Sequence, residues 1–413
     1  MLNILINAYA VAPNWGSEQG VGWNWIINIA KHCKCFVITE GEWRKEIDEA
    51  LAVLPQKDNI KFYYNPVPQE VRDMCWNQGD YRFYHYYDKW QKSTLKIAEQ
   101  ICKEHKIDVI HQLNMVGFRE PGYLWKISGI PFVWGPLSGC SKTNLRFFAD
   151  AGFMTKLKYR FKNIVNSLQL RYFCKVRNAF KKASVLITPR IDVHYAVKEI
   201  YKKSSLIIPE TGIMGHCVPI NEIQRNNDEL NILWVGRFIY TKKLDIALRT
   251  MAKVKHCKGI KLHIIGFGHN NEETYYKNLA KELGVDDLCV WYGKRSNKDV
   301  MEMMKKMNLF FFTSIAEVTS TVILEAIQNR LPILCHDACG FGNVVNDNIG
   351  RKVELISPDY SIENFAKHIE DLYNNKDILK SMLSNFDAIA KNLTYETKAI
   401  EMYNIYKELT KNK

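Results

Sequence analysis

Short runs of β-branched and aromatic residues recur along the chain, separated by longer stretches in which apolar positions return every three or four residues. The first pattern predicts strands and the second predicts helices packed on them. In the first half the predicted strands are LNILIN from Leu2, CFVIT from Cys35, IKFYY from Ile60, DVIHQL from Asp108, PFVWG from Pro131, SVLIT from Ser184 and SLIIP from Ser205. In the second half they are NILWVG from Asn231, KLHIIG from Lys261, LCVWYG from Leu288, LFFFTS from Leu309 and PILCHD from Pro332. Regular alternation of strand and helix is the signature of parallel sheets wound with helices, so the expected class is α/β.

Between the two sets lies PETGIMGHCVPINEIQRNNDEL, polar, broken by Pro and Gly, and without periodicity. It reads as a linker over 210–229, dividing an N-terminal domain (1–209) from a C-terminal one (230–394). A final helix over about 395–413 is expected to pack back on the first domain. The length of 413 residues agrees with two domains. Doubly wound sheets bind ligands beyond the carboxyl ends of their strands, which places the expected active site in a cleft between the two.

Composition narrows the picture. A hydrophobic fraction of 47% with 24% charged residues excludes a disordered or fibrous chain. The 57 basic against 44 acidic residues give a net charge of +13, which favours an anionic partner: nucleic acid, phospholipid or a phosphorylated small molecule. The 11 cysteines show no CxxC pair and no matched Cys/His spacing, so no metal site is expected and a reducing cytoplasm fits them. The N-terminal sequence lacks the basic and long apolar regions of a signal peptide. The excess of positive charge is concentrated between Lys142 and Lys182, where eleven Lys/Arg face one acid, Asp150, among Phe147, Phe148, Phe153, Tyr159, Phe161 and Tyr172. Such a basic, aromatic segment suits an anionic membrane surface; alternatively it is a solvated helix whose aromatics pack on their own domain.

The residues with chemical potential cluster at strand ends of the second half. In VGRFIYTKK, Arg237 closes a strand and Lys242 opens the next helical stretch, a pair able to grip a diphosphate from two sides. Gly268 ends the next strand within GFG, and Lys294 ends WYGK; each signal alone is weak. The stretch FFFTSIAEVTSTVILEAIQ is more specific. A helix starting within Thr319-Ser320-Thr321 would offer free N–H groups and its dipole to an anion. Glu317 would lie beside that anion, and Glu325, two turns on, either accepts from ribose hydroxyls or faces solvent.

Taken together, Glu317 and Glu325 with seven residues between them, and VGR with Lys242 some eighty residues earlier, resemble the E-x7-E signature and phosphate grip of retaining glycosyltransferase family 4. The resemblance extends through LPILCHDACGFGNVV, PNWGSEQGVGWNW, DVIHQLN, PFVWGP and IPETGI, and the last of these point to a bacterial branch. It implies the GT-B fold, two Rossmann-like domains facing across a cleft. It further implies a UDP- or GDP-linked sugar as co-substrate, with no cofactor and no metal, and a glycan or lipid-linked acceptor in surface polysaccharide synthesis. Gly20 and Gly22 would let backbone approach the donor diphosphate; where many members of the family carry H-x-H this chain has His111-Gln112-Leu113, so His111 is either an active-site residue or, if the family's functional histidine is the second one, a structural strand-end histidine. The EGFG-type turn of the family is here Glu317-Val318-Thr319-Ser320. Other readings are an epimerase or phosphorylase of the same architecture, or a basic nucleic-acid- or membrane-binding protein without catalysis. No recognition helix, aromatic RNA platform or zinc finger supports nucleic acid. The expected place of work is the cytoplasm, peripheral to the inner face of the membrane.

Overall fold

The computed structural model describes residues 1–77, 80–226, 228–269 and 271–411. Two parallel sheets organise it. The first contains β1 (Leu2–Ala8), β2 (Cys33–Thr39), β3 (Ile60–Tyr64), β4 (Val109–Asn114), β5 (Phe132–Trp134), β6 (Val185–Thr188) and β7 (Leu206–Ile207), in the order β3-β2-β1-β4-β5-β6-β7. The second contains β8 (Leu230–Arg237), β9 (Ile260–Phe267), β10 (Cys289–Gly293), β11 (Leu309–Phe312), β12 (Ile333–Asp337) and β13 (Gly350–Glu354), in the order β10-β9-β8-β11-β12-β13. In both sheets the chain builds outward from one strand and then reverses direction across it, the doubly wound order of Rossmann-like folds.

The central strands are apolar on both faces because helices cover both sides. In β8, Leu230, Ile232 and Trp234 enter one buried cluster while Leu233 enters the opposite one; in β11, Leu309 and Phe311 alternate in the same way with Phe310 and Phe312. The pairing of β8 with β9 runs without interruption from Leu230 opposite Ile260 to Arg237 opposite Phe267. This unbroken register fixes the height at which Arg237 leaves the sheet.

Two compact units result: one comprises 1–142, 162–212 and the chain from Tyr395, the other 143–161 and 213–394. The division departs from the sequence expectation in two places. The second unit recruits 143–161 because Phe147 and Phe148 are fully buried in its core with Trp234 and Leu244, and Asn144 Nδ2 donates to Leu355 O at 2.8 Å. Much of the stretch expected as a linker is likewise tied to the second unit: Ile213 N donates to Leu393 O at 3.0 Å and Val218 N to Gln328 O at 2.8 Å. The edge strand β13 escaped prediction, since Gly-Arg-Lys-Val-Glu presents too few apolar positions to show a strand period.

The helix Tyr395–Lys411 belongs to the first unit, and residues 412 and 413 of the expected helix lie outside the described residues. Its Tyr395 meets Trp25 edge to face at 6.2 Å, and Trp25 Nε1 donates to Glu210 O at 2.7 Å. Lys398, buried beneath this segment, donates to Pro209 O at 3.2 Å and to Thr211 O. Burial pushes its ammonium down to about 7. Among the described residues no helix is long and apolar enough to cross a membrane.

Candidate functional site at the sheet reversal of the second unit

The order of the second sheet reverses between β8 and β11, and a doubly wound sheet opens a crevice at that place, beyond the carboxyl ends of its strands. Two loops leave the sheet there and are bolted together. Thr313 Oγ1 donates to Lys242 O at 2.8 Å and Ile315 N donates to Thr241 O at 2.9 Å, with Ser314 Oγ 3.2 Å from the same carbonyl. Trp234 Nε1 in turn donates to Thr313 Oγ1 at 3.0 Å, tying this clasp to the core.

Across the clasp, Lys242 Nζ and Glu317 Oε1 form an ion pair at 2.5 Å, both side chains being largely buried. Ser314 Oγ donates to the same carboxylate oxygen at 3.0 Å, and the ammonium lies 5.1 Å from the Phe312 ring. A concavity of about 350 Å³ opens beside the pair, lined among others by Arg237, Lys242, Glu317, Ser320 and Thr321. Arg237 is exposed in it. The helix Thr321–Gln328 begins at its wall, with Ser320 as N-cap and no side-chain cap on the first turn. The first amides of a helix lack intrahelical acceptors and carry the positive end of its dipole. One guanidinium, one ammonium and an uncapped helix start therefore converge on one small volume, a combination suited to a diphosphate.

Of the residues singled out in sequence, Arg237, Lys242, Glu317, Ser320 and Thr321 are brought together here, and others of the second unit are not. Thr319 is fully buried against Gly340, where an added Cβ would come within 2.5 Å of Thr319 Oγ1. Its hydroxyl serves the turn and does not face the concavity. Glu325 is half-buried and accepts from Asn297 Nδ2 at 2.8 Å, and burial raises its carboxyl above the ordinary range. Gly268 is pressed against Glu272 and Phe238, and exposed Lys294 lies over the Phe267 ring at 5.0 Å. Neither lines the concavity.

The first-unit candidates have structural duties. A Cβ on Gly20 would stand 1.8 Å from Trp15 O, and one on Gly22 would stand 2.3 Å from Ala10 O. The space these glycines leave is filled by the chain's own loop after β1, and close packing of that loop explains both. His111 is fully buried on β4, with Nε2 2.6 Å from Gly135 O and Nδ1 2.6 Å from Tyr406 Oη. A carbonyl only accepts, so Nε2 carries the proton and Nδ1 accepts from the phenol. No ring nitrogen is left for a substrate, and burial pushes the imidazole down to about 4.

Sequence reasoning passed over Glu18, in the first turn of the helix Ser17–Ile29, whose Oε1 accepts from Val116 N at 2.7 Å. Burial pushes its carboxyl up to about 7, a consequence of three-dimensional packing that no local motif announces. It also passed over Ser314 and Cys339; the thiol of Cys339 accepts from Glu317 N at 3.4 Å. Among the described residues no group of three or more His, Cys, Asp or Glu is placed to hold a metal ion.

Residues 220–392 match the family described as glycosyl transferases group 1, a span that contains every residue of the clasp and its ion pair. An uncharacterized glycosyltransferase of Methanocaldococcus jannaschii is 24% identical over 176 residues, 38% of this chain and 45% of that protein. The lipopolysaccharide glucosyltransferase WaaG of Escherichia coli is 26% identical over 118 residues, 28% of this chain and 30% of that one. The chain spans about half the length of the curated relatives it matches first. The likeness in fold extends along the chain: the crystal structure of Anabaena HepE in complex with UDP superposes with a TM-score of 0.58 over 99% of this chain and 100% of that one, at 15% identity. The matching segment thus lies in the second of two Rossmann-like units, the arrangement of the GT-B fold.

Two outcomes follow for the first unit. Gly20→Ala drives a methyl into the Trp15 carbonyl, and denaturant melts are expected to show a loss of about 1–3 kcal/mol with no selective effect on nucleotide affinity. For His111 the folded value of about 4 lies below the ordinary 6.5, so its contribution is full above pH 6.5 and is lost as pH falls toward 4. Glu18 acts in the opposite sense, so the test is a difference: the stability of the wild type relative to His111→Gln should fall by about 3 kcal/mol over that interval, read from urea midpoints at each pH.

Proposed function

We propose that this protein is a retaining glycosyltransferase, moving a hexose-type sugar from a UDP- or GDP-linked donor to a glycan or lipid-linked acceptor in the synthesis of bacterial surface polysaccharide. The observation that carries the proposal is the convergence of Arg237, the Lys242–Glu317 pair and the uncapped start of the helix Thr321–Gln328 in one concavity at the sheet reversal. The capsule and lipopolysaccharide context of relatives such as WaaG, and the UDP in the complex of HepE, support the substrate class.

Breaking the sugar–phosphate bond leaves a nucleoside diphosphate on which negative charge grows. Arg237 offers a planar fork, Lys242 a point charge, and the helix start a set of N–H dipoles, all fixed before the reaction begins. Lys242 has three donors and spends one on Glu317, leaving others for a phosphate oxygen. Glu317, held by Lys242 and Ser314, is positioned as an acceptor for sugar hydroxyls. In this reading the acceptor hydroxyl attacks from the face that the leaving group vacates, and a phosphate oxygen takes its proton. An epimerase would need no acceptor, and a phosphorylase would need inorganic phosphate.

A lipid-linked acceptor agrees with the helix Phe153–Tyr172. Phe153, Leu157, Phe161, Ile164, Leu168 and Tyr172 are all exposed, at spacings of three and four residues that place them on one face. Lys158, Arg160, Lys162 and Arg171 are exposed on the same helix. We infer that this face rests in the headgroup region of an anionic membrane, with apolar side chains inward and basic ones toward phosphate. Phe147 and Phe148, part of the same basic segment, are core residues and take no part.

Arg237→Ala is expected to lower transfer by about 10²–10³ while melting like the wild type; Glu317→Ala is expected to lower transfer by a similar factor and to melt lower, because it leaves the largely buried Lys242 unpaired. Thermal shifts with UDP, GDP and ADP identify the base first. A folded variant with undiminished turnover removes its residue from the site. Flotation with vesicles containing phosphatidylglycerol should capture the wild type, and Phe161→Glu with Leu168→Glu should release it; equal flotation of both proteins rejects the membrane face.

A further inference from the structure

Three tryptophans from separate elements of the first unit meet at the carboxyl side of its sheet. Trp15 lies in the loop after β1, Trp43 in the loop after β2, and Trp76 ends the helix Gln69–Trp76. The ring of Trp15 stands 4.4 Å from that of Trp43, inclined by 44°, and 5.7 Å from that of Trp76, inclined by 50°. Trp43 packs against the core, whereas Trp15 and Trp76 join no core cluster of the described residues and remain 42% and 44% exposed. Indoles are large apolar surfaces to leave in water, and two of them side by side, one on a strand-end loop and one at a helix end, call for a partner.

The surroundings say what kind. Trp76 Nε1 donates to Glu42 Oε1 at 2.9 Å, and Glu42 N donates to Glu40 Oε2 at 2.7 Å. Glu40 is itself clamped by Arg72, whose Nε and Nη2 reach Oε1 at 2.9 and 2.7 Å. The platform is therefore rigid, with a carboxylate at its rim that keeps spare acceptor capacity. Trp43 Nε1 is a buried donor with no partner among the described residues. Apolar faces bordered by a fixed carboxylate suit a ligand with one apolar face and a hydroxyl edge. An acyl chain would have no use for the polar rim.

We propose that Trp15, Trp43 and Trp76 form a stacking platform for a pyranose ring of the acceptor glycan. The C–H face of the sugar lies on the exposed indoles of Trp15 and Trp76, and Glu42 accepts from a ring hydroxyl. The assignment rests on the glycosyltransferase reading and adds the acceptor class to it: a saccharide already carrying at least one pyranose, bound through the first unit.

Saturation-transfer NMR of the full chain with maltose, cellobiose and chitobiose as probes tests it. At least one disaccharide should show enhancement concentrated on its ring C–H protons. Trp76→Leu and Trp15→Ala should reduce that signal at least threefold, and Trp76→Phe should keep most of it, because an aromatic face is required and not mere bulk. Thermal shift by UDP or GDP, measured on the same samples, should be equal in all variants and shows that each is folded. Absence of signal from all three sugars, or a signal indifferent to Trp76→Leu and Trp15→Ala, overturns the platform. When nucleotide shifts persist in that case, the platform alone falls; when they are missing from the wild type too, the glycosyltransferase reading falls with it.

Discussion

The site depends on the contact between Lys242 and Glu317. The two residues are far apart in sequence, on loops that follow β8 and β11, and they meet because those strands are neighbours at the reversal of the sheet order. A largely buried ion pair gains little by itself, since desolvating each charge offsets much of the attraction. What it supplies is position. With the backbone clasp of Thr313, Ser314 and Ile315 on Thr241 and Lys242, the cation and carboxylate are held at fixed places on the wall of the concavity. A charged group fixed in advance needs no reorganisation when a phosphate arrives, and this is the property a phosphate site requires.

Much of this was legible in the chain because it is written in local terms. The strands of the second unit are dense in aromatic and β-branched residues, and Arg237, Lys242 and Glu317 stand just past their ends, where strand-to-helix loops must run. The rest required contacts between distant segments. Gly20 and Gly22 belong to a sequence that looks like a phosphate-cradling glycine loop, yet both lie in the helix Ser17–Ile29 and the carbonyls of Trp15 and Ala10 fill the space they leave. His111 could be read as catalytic or as structural, and the hydrogen bonds of both its nitrogens, to Tyr406 and Gly135, favour the structural reading. Lys243 shows how fine the distinction is: adjacent to Lys242 and identical to it, it is fully buried beside Asp245 and the Tyr240 ring.

The basic segment illustrates a limit of composition. Its charge excess and its aromatics were visible together, but the fold sorts the aromatics by helical phase and by unit. Phe147 and Phe148 turn inward, Tyr159 packs on Phe148 at 4.1 Å, and Phe153, Phe161 and Tyr172 stay outside. Several cations of the same segment are also engaged, Lys175 with Asp88 and Glu120, and Arg171 with Glu199. The net charge of +13 therefore overstates the cations available to a surface, and the apolar stripe is the more telling feature.

The turn between the two glutamates shows how a departure in sequence is accommodated in structure. Ser320 adopts φ 78° and ψ 117°, outside the regions that L-residues favour and readily open to glycine. Holding a serine there costs on the order of 1–3 kcal/mol and persists only where neighbours over-determine the backbone. Here they do: Thr319 is buried against Gly340, whose N–H donates to Val318 O at 2.6 Å, so the chain on one side of Ser320 has no alternative path. In exchange the turn places a hydroxyl on the lining of the concavity, at the mouth of the uncapped helix. A glycine would relieve the backbone and leave that wall without the donor, so under the proposed function the strain is the cost of one more hydrogen bond to the donor's phosphate.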